Sequence, residues 1–514
     1  MSTQADFKQL VSHCKEYGYI FQSSEIYDGL GAVYDYGPFG VELKNNIKKY
    51  WWMAMVQMHD NIVGIDAAIF MHPKVWQASG HIANFNDPLI DNKDSKKRYR
   101  ADVLLEDFQA KIQAKIDKEV GKAEKRFGES FDKAQFLETN PRVLANQGKI
   151  DDVNNRLKAG LEANDLEAIK QIIVDYEIAC PESGSRNWTD VRQFNLMFST
   201  QMGASTEGAD TIYLRPETAQ GIFVNYLNVQ KTARMKLPFG IAQIGKSFRN
   251  EIVARQFIFR TREFEQMEMQ FFVQPGTQKK WYEYWKEARM KWHLAAGFPE
   301  VNLTFHDHLK PAHYADDAVD IEYKFPFGVK EMEGIHSRTD FDLNQHQEHS
   351  GKKLQYFDPE TKESYVPYVV ETAIGLDRMC LAVISNALMT EEVENAKGEK
   401  TERVVMKINP ALAPIKVAVL PLINKDGLPE KAREIYNTLR FDCNAHYEEK
   451  DTIGKRYRRM DAIGTPYCIT IDHDSLNDNM VTIRERDTMA QERISIDDVA
   501  KVVGEKTSMK NLFV

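Results

Sequence analysis

At 514 residues the chain is too long for one ordinary core, so a large central domain with appended or inserted modules is expected. Hydrophobic residues at 43% and charged residues at 28% suit a folded chain and exclude a disordered one, while a net charge of −9 argues against indiscriminate nucleic-acid binding but leaves room for a local basic face. No apolar run reaches the length of a membrane span, and the start, MSTQADFKQLVSHCKEYGY, lacks the basic-then-apolar order of a secretory signal, which predicts a cytoplasmic protein.

The N-terminal segment mixes aromatic-rich loops with one clear helix. After Gly37, Pro38 and Gly40, VELKNNIKKYWWMAM spaces its apolar residues for one helical face, with Val41, Leu43, Ile47 and Trp51 pointing inward. Residues 103–178 turn to Lys, Glu, Ala and Leu at helical spacing, as in DFQAKIQAKIDKEVGKAEKRF, and read as a helical insertion. Residues 185–385 return to strand-like segments of alternating polarity, FGIAQIGKSF and FRTREFEQMEMQFFV, interrupted by an aromatic helix around WYEYWKEARMKWHLA. That is the pattern of an antiparallel sheet with helices packed on it. A polar stretch, MTEEVENAKGEKTE, then gives way to IKVAVLPLI, a buried strand, and a second domain begins near Ala411. There strand and helix alternate, which predicts an α/β domain with a mixed sheet. The expected organisation is an α+β domain over 1–102 and 179–400, a helical insertion over 103–178, and an α/β domain over 411–514. The five cysteines, Cys14, Cys180, Cys380, Cys443 and Cys468, are scattered and read as core fillers.

The most informative stretch is SFRNEIVARQFIFRTREFEQMEMQFF, two strand-like segments joined by a loop that contains Arg255 and Arg260. Along the second segment Arg262, Phe264, Gln266 and Glu268 share one face, and Met267, Met269 and Phe271 the other. Arg249 and Glu251 share a face of the first. Several charges on one sheet face are expensive to bury without partners. They form either a structural ion-pair lattice or the wall of a site for a charged ligand, and alternation alone leaves both open.

The order F-R-N-E, a loop, then R-E-F and M-E resembles motif 2 of class II aminoacyl-tRNA synthetases. GLGAVYDYGPFGVELKNNIKKYWW is similar to motif 1, which builds a dimer interface, and YVVETAIGLDRMCLAVI to motif 3. RPETAQGIF, YRADVLLED, GIHSRTDFDL and TIRERDTMAQERI resemble segments of glycyl-tRNA synthetases, so the chain is identified as a member of that family, of the homodimeric, eukaryote- and archaea-like type. The resemblance implies the class II catalytic fold, a C-terminal anticodon-binding domain, and ligation of glycine to tRNA(Gly) with ATP, which arrives as its magnesium complex.

By the same resemblance, Arg249 holds the α-phosphate and Phe264 stacks on adenine, with Arg378 in the first turn of the motif 3 helix as the second catalytic cation. Asn250, Glu251, Phe259, Arg260, Thr261, Arg262 and Glu263 complete the motif 2 part of the ATP site, and Glu331, Met332 and Gly375 lie across it. Glu331 and Glu371 are the carboxylates placed for magnesium. Glycine offers no side chain to grip, so selectivity must come from holding its ammonium and carboxylate while excluding a methyl group. The resemblance puts Glu217, Glu268 and Glu371 around the ammonium, Arg100 toward the carboxylate, Arg338 nearby, and Phe264, Gln266, Thr372, Ala373 and Gly375 along the wall.

Two positions depart from the family pattern. The usual glutamate-proline-serine of motif 3 reads Glu371, Thr372, Ala373, so the serine hydroxyl near the amine is missing, and a regular strand turns Thr372 to the opposite face. Where some relatives carry Cys-x-x-Cys, this chain has Cys180, Pro181, Glu182, Ser183; a lone cysteine predicts no structural zinc. In the C-terminal domain, Lys455, Arg456, Arg458 and Arg459, with Arg484 and Arg486, could meet tRNA phosphates or anticodon bases, or form a solvated helix face. Two rival readings are a synthetase for another amino acid, such as threonine or proline, and a synthetase-like binding protein without catalysis.

Overall fold

The computed structural model describes residues 2–128, 131–203, 210–252, 256–308, 314–394 and 400–513. They form two compact units, one from 1–79, 199–249 and 255–514, the other from 80–198 with 250–254.

The first unit is built on a seven-stranded sheet. Its strands are β1 (Ile62–Gly64), β2 (Phe239–Phe248), β3 (Glu263–Val273), β4 (Leu303–Asp307), β5 (Asp317–Phe325), β6 (Gly328–Thr339) and β7 (Tyr368–Gly375), in the spatial order β4-β5-β6-β7-β3-β2-β1. All pairings are antiparallel except β1 with β2. The helices packed with it are α1 (Pro38–Trp52), α2 (Gln278–Ala295), α3 (Phe341–Ser350) and α4 (Leu376–Ala387). Period-two alternation decides which face is core. Met267, Met269, Phe271, Ile335 and Ile374 bury one face together with Leu43, Ile47 and Trp51 of α1 and Trp285 of α2. On the other face, Phe239, Ile241, Phe272 and Val369 pack under Ile222, Phe223 and Tyr226, which closes one end and leaves the polar part open.

One local expectation needs correction. Val41 is 40% exposed rather than inward, because α1 begins at Pro38 and its buried stripe runs through Leu43, Lys44, Ile47, Tyr50 and Trp51. Trp51 is buried, as its helical spacing predicts, and Trp52 lies over Gly64. The polar stretch after α4 is a hairpin, Leu388–Glu394 against Lys400–Met406, with residues 395–399 outside the described ones.

Within the same unit a five-stranded mixed sheet follows: β8 (Val417–Pro421), β9 (Ala445–Tyr447), β10 (Tyr467–Ile471), β11 (Met480–Glu485) and β12 (Gln491–Ser495), in the order β9-β8-β10-β11-β12. Both neighbours of β8 run parallel to it, and the rest are antiparallel. Helices α5 (Leu428–Leu439) and α6 (Ile453–Ala462) form the crossovers that parallel strands need. Ala411, Leu412 and Ala413 belong to the core of the seven-stranded sheet, so the second sheet starts a few residues later than the change in composition. His13 Nε2 and Tyr19 Oη bond the carbonyls of Ala462 and Ile463, each at 2.9 Å.

The second unit is wider than its helical stretch. Helices Ala101–Phe127, Pro141–Glu162 and Leu166–Asp175 pack with three short antiparallel strands, Asn86–Asp91, Arg98–Arg100 and Arg192–Asn195. Leu104, Leu105, Ile169, Ile172 and Ile173 share one core with Ile90, Tyr99, Trp188 and Val191. The helical period located the helices, and strands this short carry too little alternation to be seen.

Candidate active site

The open face of the seven-stranded sheet is set by register. One row across it reads Gln270, Glu371, His336, on β3, β7 and β6; the next reads Gln243, Glu268, Ala373, Gly334, from β2 to β6; a third reads Gly245, Gln266, Gly375. Two acidic groups therefore stand one row apart on adjacent strands, and small residues continue the row beyond Glu268. Thr372 pairs with Met269 and Ile335 on the core side and is fully buried, as strand alternation predicts.

The two carboxylates have opposite surroundings. Glu371 is ringed by donors: His336 Nδ1 at 2.8 Å on one oxygen, Arg338 Nη1 at 3.1 Å and Gln270 Nε2 at 2.6 Å on the other. Burial opposes its ionisation, but Arg338, His336 and Gln270 together hold its carboxyl below the usual range. Glu268, 2% exposed, receives only neutral donors, the Thr218 hydroxyl and Gln270 Nε2 at 2.8 Å, and among the described residues it forms no ion pair. Burial, and then the charges of Glu371 and Glu217, push its pKa well above the ordinary carboxylate value.

The segment RPETAQG roofs this face. Arg215 donates to the carbonyls of Lys246 and Ala67 at 2.6 and 2.7 Å, which fixes the segment on β2. Thr218 reaches down to Glu268, and Gln220 Nε2 spans Glu217 at 3.0 Å and Asp342 at 3.2 Å. Arg338, expected near the glycine, is engaged by the protein itself: its Nε and Nη2 pair with Asp342 at 2.9 and 3.0 Å, and its guanidinium lies 4.2 Å over Tyr314. It acts on Glu371 instead. Glu371, expected to meet magnesium, already accepts three hydrogen bonds and pairs with Arg338.

Farther along the same face are the residues expected for a nucleotide. Strand β2 ends at Phe248, so Arg249 and Glu251 do not share a strand face. Arg249 Nε donates to the Pro216 carbonyl at 3.1 Å, and its guanidinium lies 5.2 Å over the Phe264 ring. Arg378, in the first turn of α4, sits 4.3 Å over Phe259 and 3.1 Å from Glu331 Oε2. Arg378 holds the half-exposed Glu331 below the usual carboxylate range, with Arg249 and His336 adding to the effect. Arg262 Nη1 is turned to the Gly31 carbonyl at 3.0 Å, Thr261 bonds the Glu263 carbonyl, Glu263 pairs with Lys246, and Met332 is buried in the core. Arg255 lies outside the described residues.

Asn250 and Glu251 belong to the second unit, as does Arg100. Arg100 pairs with Asp87 at 2.9 Å and Asp102 at 2.6 Å, and Glu251 adds to the negative field around it. The structure thus sets this guanidinium on protein carboxylates where a substrate carboxylate was expected. Cys180 in the same unit accepts hydrogen bonds; burial raises its pKa, but Ser183, Ser95 and Tyr99 outweigh that and bring the thiol down to about 6. Among the described residues no group of three or more His, Cys, Asp or Glu side chains is arranged to hold a metal ion.

Three family models match the chain: "Glycyl-tRNA synthetase insertion domain 1" over residues 87–196, "tRNA synthetase class II core domain (G, H, P, S and T)" over 198–387, and "Anticodon binding domain" over 416–506. A glycine–tRNA ligase of Chlorobaculum tepidum is 50% identical over 97% of this chain and 99% of its own length. Those of Staphylococcus haemolyticus and Geobacillus thermodenitrificans are 49% and 48% identical over 98% of this chain, covering 99% and 98% of theirs. The chain belongs to the glycine–tRNA ligase family.

The anticodon-domain match frames the C-terminal arginines, three of which need correction. Arg456 is 1% exposed and donates to the carbonyls of Pro421, Glu448 and Leu422. Arg484 is clamped on buried Asp461 by two bonds of 2.8 and 3.0 Å, and Arg486 bonds the carbonyls of Gly464 and Ile408. These side chains are spent inside the protein and cannot reach RNA. Lys455 is exposed near Asp451, Arg459 is partly exposed against Asp451 and Glu448, and Arg458 leans on Thr401. Sequence reasoning missed Thr218, Gln270, His336 and Asp342. Gln270 and His336 were within reach of the period-two rule, two residues from Glu268 and Arg338, whereas Thr218 and Asp342 meet the site only through tertiary folding.

Proposed function

We propose that this chain activates glycine with ATP, releasing pyrophosphate, and then transfers the glycyl group to the 3′-terminal adenosine of tRNA(Gly). The observation that carries the pocket assignment is Glu268: a buried acid with neutral donors, next to a second acid already compensated by Arg338 and His336. An ammonium is the cation this arrangement lacks. Its arrival would offset the burial and the repulsion from Glu371 and Glu217 that oppose ionisation of Glu268. Ala373 and Gly334, continuing the row from Glu268, leave room for a substrate without a side chain.

The glycine carboxylate attacks the α-phosphorus in line and pyrophosphate leaves, so the enzyme needs no nucleophile of its own. Catalysis comes from positioning and from cations aimed at the phosphoryl oxygens, Arg249 and Arg378. Phe264 offers its ring to adenine. The substrate is the magnesium complex of ATP, in which the metal neutralises phosphate charge; Glu331, beside Arg378, is the carboxylate that fits it. Lys455, Arg458 and Arg459 remain the basic side chains for tRNA on this part of the surface.

The active form is proposed to be a homodimer. The apolar side chains of Ile26, Tyr27 and Leu30, exposed in the segment before α1, are surface that a second copy would cover. Placement in the eukaryote- and archaea-like subtype rests on motif resemblance alone, and the bacterial relatives lend it no support. No helix among the described residues is long and apolar enough to cross a membrane; a cytoplasmic location is proposed with the function.

Glycine-dependent ATP–pyrophosphate exchange, with threonine, proline, serine and alanine as controls, followed by glycylation of tRNA transcripts, tests the reading. Exchange and charging with glycine alone are expected. Exchange driven equally by threonine or proline, or no exchange with any of the five, overturns it.

A further inference from the structure

Beneath the nucleotide end of the site lies a buried ionic node that the proposed chemistry does not use. Lys44, on the inward face of α1, places Nζ 3.1 Å from Asp377 Oδ1 and 3.1 Å from Glu265 Oε2. Tyr36 Oη donates to the same Asp377 oxygen at 2.5 Å, and the Lys44 ammonium sits 4.2 Å over the Tyr36 ring. The other Asp377 oxygen accepts the backbone N–H of Glu265 at 2.8 Å, and Lys48 approaches Glu265 at 3.4 Å. Asp377 stands in the first turn of α4, where the helix N-terminus favours a carboxylate.

The node joins three elements far apart in sequence. Glu265 directly follows Phe264 on β3, Asp377 directly precedes Arg378 on α4, and Lys44 is the cation between them from α1. A buried ion cluster adds little net stability over apolar side chains of the same shape, because desolvation offsets the attraction; what it supplies is a fixed geometry. The bond from Asp377 to the Glu265 backbone ties the peptide beside Phe264 to the helical turn that carries Arg378.

We propose that Lys44, with Tyr36, Asp377 and Glu265, forms a positioning network that sets Phe264 and Arg378 for ATP, while the glycine pocket around Glu268 is held independently by Thr218 and Gln270. The inference rests on the glycine–tRNA ligase reading. In pyrophosphate exchange, Lys44→Met is expected to raise the KM for ATP about tenfold or more and to lower kcat, with the KM for glycine within about twofold of wild type. Lys44→Arg, which keeps the cation, should recover most of the loss. Tyr36→Phe removes one hydroxyl and leaves the ions in place, so it reads the network even where Lys44→Met fails to fold; its KM for ATP should rise about threefold. An unchanged KM for ATP in Tyr36→Phe, or KM values for ATP and glycine that rise together in either variant, overturns the proposal. A wild-type chain without glycine-dependent exchange sinks the function itself, whereas a normal wild type with unmoved variants sinks only the network.

Discussion

The acidic pocket and the C-terminal domain both bury charge, and they resolve it in opposite ways. Asp461, fully buried, is answered by Arg403 at 3.0 Å and Arg484 at 2.8 and 3.0 Å, and Arg456 is answered by three carbonyls. In the pocket, Glu371 has its cation but Glu268 has only a hydroxyl and an amide. Charge compensated from within is architecture, because its partners leave nothing for a ligand to satisfy. A buried acid with neutral donors has its pKa raised, and that incompleteness is why the ammonium is proposed to bind there.

The largest effect that sharpens the contrast belongs to the filled cluster. Asp461→Ala strands Arg484 in the interior and leaves Arg403 with Glu391 alone, and should cost about 3 kcal/mol or more of folding stability in denaturant titration, with the KM for glycine unmoved. A shift in glycine KM without loss of stability would erase the distinction. Glu268→Gln should do the reverse: stability is kept or rises, because an acid costly to ionise is gone, while the KM for glycine rises about a hundredfold. Equal stability and equal KM in that variant would leave the ammonium seat without its main wall.

A smaller effect comes from pH. Because the folded-state pKa of Glu268 is raised, its contribution to stability is complete below the unfolded carboxylate pKa and is lost as pH rises through the folded value. Over that same rise the ionised form becomes available to an ammonium. The KM for glycine should therefore fall with increasing pH, by about tenfold per unit at most, and Glu268→Gln should flatten the profile. A wild-type profile as flat as the variant's would mean that Glu268 does not titrate against the ligand. The smallest effect is at Ala373, beside Glu268 in the register. Ala373→Ser should lower the KM for glycine about threefold by adding one hydroxyl near the amine; a rise would show that the hydroxyl crowds the pocket.

Much of the site was legible because a strand writes its two faces alternately. Glu268, Gln266 and Phe264 on one side, and Met267, Met269 and Phe271 on the other, follow from period two alone, and so does the inward turn of Thr372. The basic cluster of the C-terminal domain shows the limit of the same reasoning. Lys455, Arg456, Arg458 and Arg459 look alike in sequence, yet Arg456 is interior and Lys455 is 71% exposed. Helical period separates faces, but which face meets a sheet depends on what else has folded against it.

The family, the antiparallel sheet with its polar face, the helical insertion and the following mixed sheet can all be read along the chain, because each is encoded by local periodicity or by contiguous motifs. Which charges are spent emerges with folding alone. Arg338 and Arg100 went to protein carboxylates, Arg484 to Asp461, and Glu268 to neutral donors, through partners up to 50 residues away or across a turn. The free energy of a buried charge depends on the groups within a few ångströms of it, and those neighbours are brought together by folding rather than by order along the chain.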